Sequence, residues 1–105
     1  MSGFDERQQA FEKKYAHDAE MNFKADARRN KLLGLWLAPQ LGKDDAEAYA
    51  KSVVVADLEE EGDEDVVRKV LLDIIAAGAA ITEQELRDKM AELGAEAKAQ
   101  VMAEV

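Results

Sequence analysis

The residues of this chain that could do chemistry are few, and they are scattered. His17 is the single histidine and stands among charged neighbours in "YAHDAE". With no cysteine and no second histidine in the sequence, it has no soft or imidazole co-ligand for a transition metal. A lone histidine on a helix surface is ordinarily just a surface residue. Beyond the first two residues, only Ser52 and Thr82 carry a serine or threonine hydroxyl. A nucleophile needs an adjacent base and a third group that orients the base, and the sequence offers no such set. The acidic run "EEEGDED", Glu59 to Asp65, invites a cation. It does not meet the spacing of a calcium loop, which needs alternating acids, a central glycine and a glutamate at the twelfth position. Helix capping and a solvated turn account for it, and a docking patch for a basic partner is a further reading.

One basic island stands out, "FKADARRNK", Phe23 to Lys31. Lys24, Arg28, Arg29 and Lys31 face a single acid there, Asp26. Lys24 and Arg28 are four residues apart and share a helix face. With Lys31 they could hold a phosphate or an acidic loop. The plainer reading is internal pairing with the many acids of the chain, and charge counting favours it. No glycine-rich phosphate loop accompanies the island, which counts against nucleotide hydrolysis.

The elements that must position these residues follow from composition and punctuation. At 105 residues the chain makes one domain with a modest core. A net charge of -9 argues against general nucleic-acid binding, which depends on phosphate neutralisation. The absence of cysteine removes any sign of an oxidising compartment and fits a cytoplasmic protein. No signal peptide is visible. The densest apolar run, "LLGLWLA" from Leu32 to Ala38, is far too short to span a membrane.

The apolar residues recur with helical period, and the expected fold is all-α, a small four-helix bundle. Residues 23–37 are apolar nearly all round and should be central, ending around Pro39 and Gly42. Asp44 with Glu47 resembles a capping arrangement for the next helix. Its core stripe would be Ala46, Tyr49, Ala50, Val53, Val54 and Asp57/Leu58, with Gly62 as its stop. Asp63 caps the third helix, whose wide apolar face is Val66, Val67, Val70, Leu71, Ile74 and Ile75, closed by Gly78. Thr82 and Glu85 form a capping box for the last helix, with Ile81 and Leu86 as its staple. Leu86, Met90, Leu93, Ala97 and Val101 line one side of it.

Residues 1–18 are surplus to that bundle, which occupies 19–105. Phe4, Phe11 and Tyr15 are spaced seven and four apart and fall on one narrow stripe of an otherwise polar helix. Such a stripe suits recognition of a groove on a partner; equally, Phe11 and Tyr15 could extend the bundle core. A helix of this length is marginal alone in water, so the segment should be partly mobile until bound. The division falls near His17 and Asp18, with Phe23 on the bundle side.

"FEKKYAHDAEMNFKADARRNKLLGLW" followed by "DAEAYAKSVVVADLEEEGDEDVVRKV" resembles the zeta subunit of alphaproteobacterial F-type ATP synthases, a small inhibitor of ATP hydrolysis. "FKADARRNKLLGLW" is the most specific part, and the resemblance covers nearly the whole chain. Pro39, Val55 and Leu58 depart from the family's commoner residues, a helix former, lysine and phenylalanine. The resemblance implies a non-catalytic regulatory subunit whose N-terminal residues insert as a helix between the catalytic subunits and the central stalk. Phe4, Phe11 and Tyr15 would then be anchors, and Arg7, Lys13 and Lys14 would pair with partner acids. It also implies adenine-nucleotide binding by the bundle, with ADP or ATP as a regulatory ligand rather than a required cofactor. The basic island is its expected place: Lys24, Arg28, Arg29, Asn30, Lys31 and nearby Trp36. The rival reading is a nucleotide-sensing module. The protein would be monomeric when free, cytoplasmic, and peripheral to the membrane-bound enzyme.

Overall fold

The computed structural model describes residues 2–59 and 63–104, with side chains for 19–58 and 63–104. Four helices follow one another: α1 (Ser2–Gln40), α2 (Ala46–Glu59), α3 (Glu64–Ala77) and α4 (Glu83–Ala103). No strand occurs among the described residues. The all-α bundle expected from the periodicity is the observed fold. Helix α1 is its axis, with α2 and α4 packed most extensively against it and α3 completing the layer beside α2.

The punctuation works largely as the sequence implies. Pro39 lies inside the last turn of α1, so the missing N–H falls near the end of the helix and the helix continues to Gln40. Gly42 then adopts a left-handed φ of 70°. Its N–H donates to the Pro39 carbonyl, and the Lys43 N–H donates to the Ala38 carbonyl at 2.9 Å. This paired arrangement satisfies carbonyls that the helix end would otherwise orphan. Gly78 repeats it after α3, with φ 67° and Ala79 N–H donating to the Ile74 carbonyl. At α4, Thr82 Oγ1 accepts the Glu85 N–H at 3.1 Å and donates to the Glu85 carboxylate. Ile81 packs on the core beside buried Leu86, completing the staple.

Two caps differ from expectation. Asp45, not Asp44, caps α2, accepting the Ala48 N–H at 3.0 Å; the helix starts one residue later than the Asp44–Glu47 pattern suggested. Asp63 occupies the N-cap position of α3 but makes no side-chain cap bond: its backbone is helical, φ -85° and ψ -12°, rather than extended as a side-chain cap needs, and its carboxylate pairs with Arg29.

The core is built from Leu33, Leu37, Tyr49, Val53, Val66, Val70, Ile74, Leu86, Met90 and Leu93 among others. "LLGLWL" is central, as its all-round apolarity requires, with Leu33 and Leu37 fully buried. The faces of α2 and α3 are narrower than their apolar content. Leu58 and Ile75 are exposed and Leu71 only half-buried, because each of these helices has the bundle on one side only. Phe23 is also exposed, at 60%. It does not join the core, and continuous packing of α1 begins around Ala25 to Arg29.

Gly34 explains how α1 and α2 come so close. A Cβ built there would lie 2.4 Å from the Ala50 Cα, so only glycine lets the two backbones touch. Gly34→Ala should therefore lose at least about 2 kcal/mol of stability despite a helix-propensity gain of about 1 kcal/mol. Chemical denaturation checks this, and a neutral or stabilising substitution would contradict the close approach.

Candidate functional site

The basic island lies on the second half of α1, and helical geometry turns its side chains in different directions. Lys24 pairs with Glu20 one turn earlier, at 3.2 Å with both side chains largely exposed, an arrangement of little energetic consequence. Arg28 reaches α4, donating to Gln100 Oε1 at 2.9 Å and pairing with Glu104 at 2.8 Å. Arg29 turns inward and is buried, only 8% exposed. It donates through Nε and Nη2 to Asn30 Oδ1, and through Nη2 to Asp63 Oδ1 at 2.9 Å.

Asn30 itself is fully buried, with its Nδ2 unpartnered among the described residues. Burial of a guanidinium is tolerated only when it is paired and hydrogen-bonded, and here Asn30 and Asp63 supply those contacts. The two arginines thus tie α1 to α4 and to the turn before α3. The plainer reading of the island, internal pairing, describes Arg28 and Arg29.

The remaining nucleotide candidates lie apart. Lys31 is exposed and lines a groove of about 460 Å³ between α1 and α2, with Lys51, Asp45 and Glu47. Trp36 is partly buried against the core, with the Lys89 ammonium 5.2 Å above its ring. The fold therefore joins Lys31 to Lys51, a residue outside the sequence-predicted set. The two lie on different helices, and the spacing along either helix carries no signal for their meeting. The burial of Arg29 and Asn30 was readable: they precede Leu33, Gly34, Leu37 and Ala38 at four-residue spacing on the same face. Phe4, Arg7, Phe11, Lys13, Lys14 and Tyr15 lie outside the residues whose side chains are described.

Electrostatics mark the same junction. Desolvation raises the Asp26 carboxyl above the ordinary aspartate value; Arg29 pulls it back, while Asp63 and Asp57 push it up. On α2, burial comes first and the hydrogen bond to Asp73 second in lifting the Tyr49 hydroxyl well above the usual phenol range. Tyr49 donates to Asp73 at 2.8 Å, and Lys69 donates to the same carboxylate at 2.9 Å. This clasp fixes α3 on α2. Between α3 and α4, Arg87 meets Glu64 through two hydrogen bonds, which raise the arginine and lower the carboxylate.

The arrangement is that of a helical bundle with a single long helix leading out of it, held by polar struts and with no assembled catalytic group among the described residues. The model of the ATPase inhibitor subunit zeta family matches residues 1–100, and the chain belongs to that family. Comparison with curated individual proteins gives no match. Membership makes the protein an inhibitor subunit that works on an ATP synthase. No helix among the described residues is long and apolar enough to cross a membrane.

The Asp26 shift has a consequence for stability. A carboxyl raised in the folded state contributes stability below its unfolded value and loses it as pH rises through the folded value. Asp26→Asn should therefore raise the unfolding temperature at about pH 7 and leave it unchanged near about pH 3, where both states are protonated. Thermal unfolding at the two pH values checks this; a destabilised variant at the higher pH would contradict it.

Proposed function

We propose that the protein inhibits ATP hydrolysis without chemistry, by inserting residues 1–18 as a helix between the catalytic subunits and the central stalk of an F-type ATP synthase. The observation that carries this reading is the asymmetry of α1. It is one unbroken helix from Ser2 to Gln40, yet it contributes to the buried core only from Arg29 onward among the residues with described side chains. At about 1.5 Å per residue, such a helix measures roughly 58 Å, and the whole molecule is 64 Å along its longest axis. A bundle needs no such length. A probe that must reach into another protein does.

Phe4, Phe11 and Tyr15 would fill apolar pockets, since aromatic side chains dominate interface energetics. Arg7, Lys13 and Lys14 would pair with acidic groups beside them. Inhibition then requires only that the inserted helix bind one rotational state better than the next. The protein is on this reading regulatory rather than enzymatic, monomeric when free, and cytoplasmic at the periphery of the membrane-bound enzyme.

Removal of residues 1–18 should abolish inhibition of ATP hydrolysis while the bundle keeps its helical circular dichroism. In the full chain, Phe11→Ala should weaken binding by about 2 kcal/mol. A truncated protein that inhibits as well as the whole chain would sink the mechanism.

A second reading, an adenine-nucleotide sensor in the bundle, is favoured by one observation. Lys31 and Lys51 flank a single groove, where two ammonium groups would suit a diphosphate against the opposing charge of Asp45 and Glu47 in the same lining. Titration with ADP should then perturb the backbone amide shifts of Lys31 and Lys51. Silence at millimolar ADP would reject binding there.

A further inference from the structure

The outer face of α2 and α3 carries an apolar strip that the bundle does not use. Val55 and Leu72 are 45% and 61% exposed and line a groove of about 720 Å³ between the two helices. Leu58 follows Val55 by three residues and Ile75 follows Leu72 by three, so each continues its neighbour's helix face. Both are exposed as well. Beneath the groove, the Tyr49–Asp73–Lys69 clasp holds α2 and α3 at fixed separation, so the groove is a braced surface.

Its charge runs against that of the chain. Lys51 and Arg68 line the groove; Lys51 is exposed with no ion pair among the described residues. The Arg68 side chain is 69% exposed and held only by a 3.2 Å pair to Asp65 within its own helix. The acids of the groove are recessed: Asp65 pairs with Arg68 and Asp73 with Lys69. A protein of net charge -9 therefore presents here an aliphatic strip whose projecting charges are positive.

We propose that this groove is the anchor of the bundle on the ATPase, taking an amphipathic helix of that enzyme whose aliphatic stripe is flanked by carboxylates. The proposal rests on the reading of the N-terminal segment as the inhibitory probe and assigns the second contact, the one that holds the bundle while the probe is inserted. In helix-in-groove recognition the bound helix supplies anchors at three- and four-residue spacing; the groove supplies the apolar surface they enter, here Val55 and Leu72, with Leu58 and Ile75 exposed beyond it. Charge complementarity selects the flanks of the occupant. It also disfavours a second copy of this chain. A two-fold contact would place the same patch on itself, setting Lys51 and Arg68 against their own counterparts.

The test uses the full chain and the purified ATPase, with affinity and the extent of inhibition at saturation measured separately. Leu72→Glu should weaken binding by at least about tenfold, and Arg68→Glu should weaken it and flatten its salt dependence. Inhibition at saturation should remain complete for both, because residues 1–18 are intact. Met102→Glu, at an exposed apolar residue near the end of α4, should bind as the unaltered protein does. Unchanged affinity in both Leu72→Glu and Arg68→Glu would overturn the proposal. So would sedimentation showing a dimer of the unaltered chain that Leu72→Glu dissolves. Failure of the N-terminal reading is seen elsewhere, in a truncated chain that still inhibits.

Discussion

Helix α1 meets α2 backbone to backbone, and the rest of the molecule depends on that contact. With no side chain at Gly34, the Ala50 Cα comes within 2.4 Å of where a Cβ would be. Close approach fixes both the separation and the rotation of the two helices. Leu33, Leu37 and Ala38 on one side and Tyr49 and Val53 on the other are then all buried. Helix α4 closes the opposite flank of α1 through Leu86, Met90 and Leu93, while α3 reaches the core through Val66, Val70 and Ile74. Interiors packed this densely respond to a change of even one methylene, so a small error in this one crossing would be felt throughout the core.

Polar struts then set the direction in which α1 leaves the bundle. Arg28 is bonded to α4 and Arg29 to the turn before α3, both within two helical turns of the point where packing gives way to exposure. Two cations that look in the sequence like a ligand site are thereby committed to orienting a helix. Such a device needs no catalytic group. It needs a rigid base, a defined exit direction and a segment with its own reason to bind elsewhere. That is the economy expected of the mechanism proposed above, in which inhibition requires only that one state of the ATPase be bound better than the next.

Much of this was legible in the sequence. The helix count, the stops at Gly42 and Gly78, the Thr82–Glu85 box and the central place of "LLGLWL" all follow from local propensity and period, and local rules decided them. What was not legible depends on long-range geometry. Asp63 reads as a side-chain cap, but its carboxylate pairs with Arg29 from 34 residues away. Ile75 and Leu58 read as core until the bundle proves to cover only one side of their helices. Phe23 reads as bundle until packing is seen to start a turn later. Gly34 reads as a mere interruption of an apolar run, since nothing local announces that Ala50 will lie against it. The inhibitory role proposed for residues 1–18 draws its partner from family resemblance, for an aromatic stripe on a polar helix names no partner.

The proposed mechanism requires the N-terminal segment to enter the ATPase rather than rest on its surface. A photoreactive amino acid placed at position 11 of the full chain, irradiated in complex with the ATPase, tests it most directly. The account predicts cross-links to a catalytic subunit and to the central stalk, identified by mass spectrometry of the joined peptides. Cross-links confined to the outer surface of the enzyme, or to the bundle of the inhibitor itself, would contradict it.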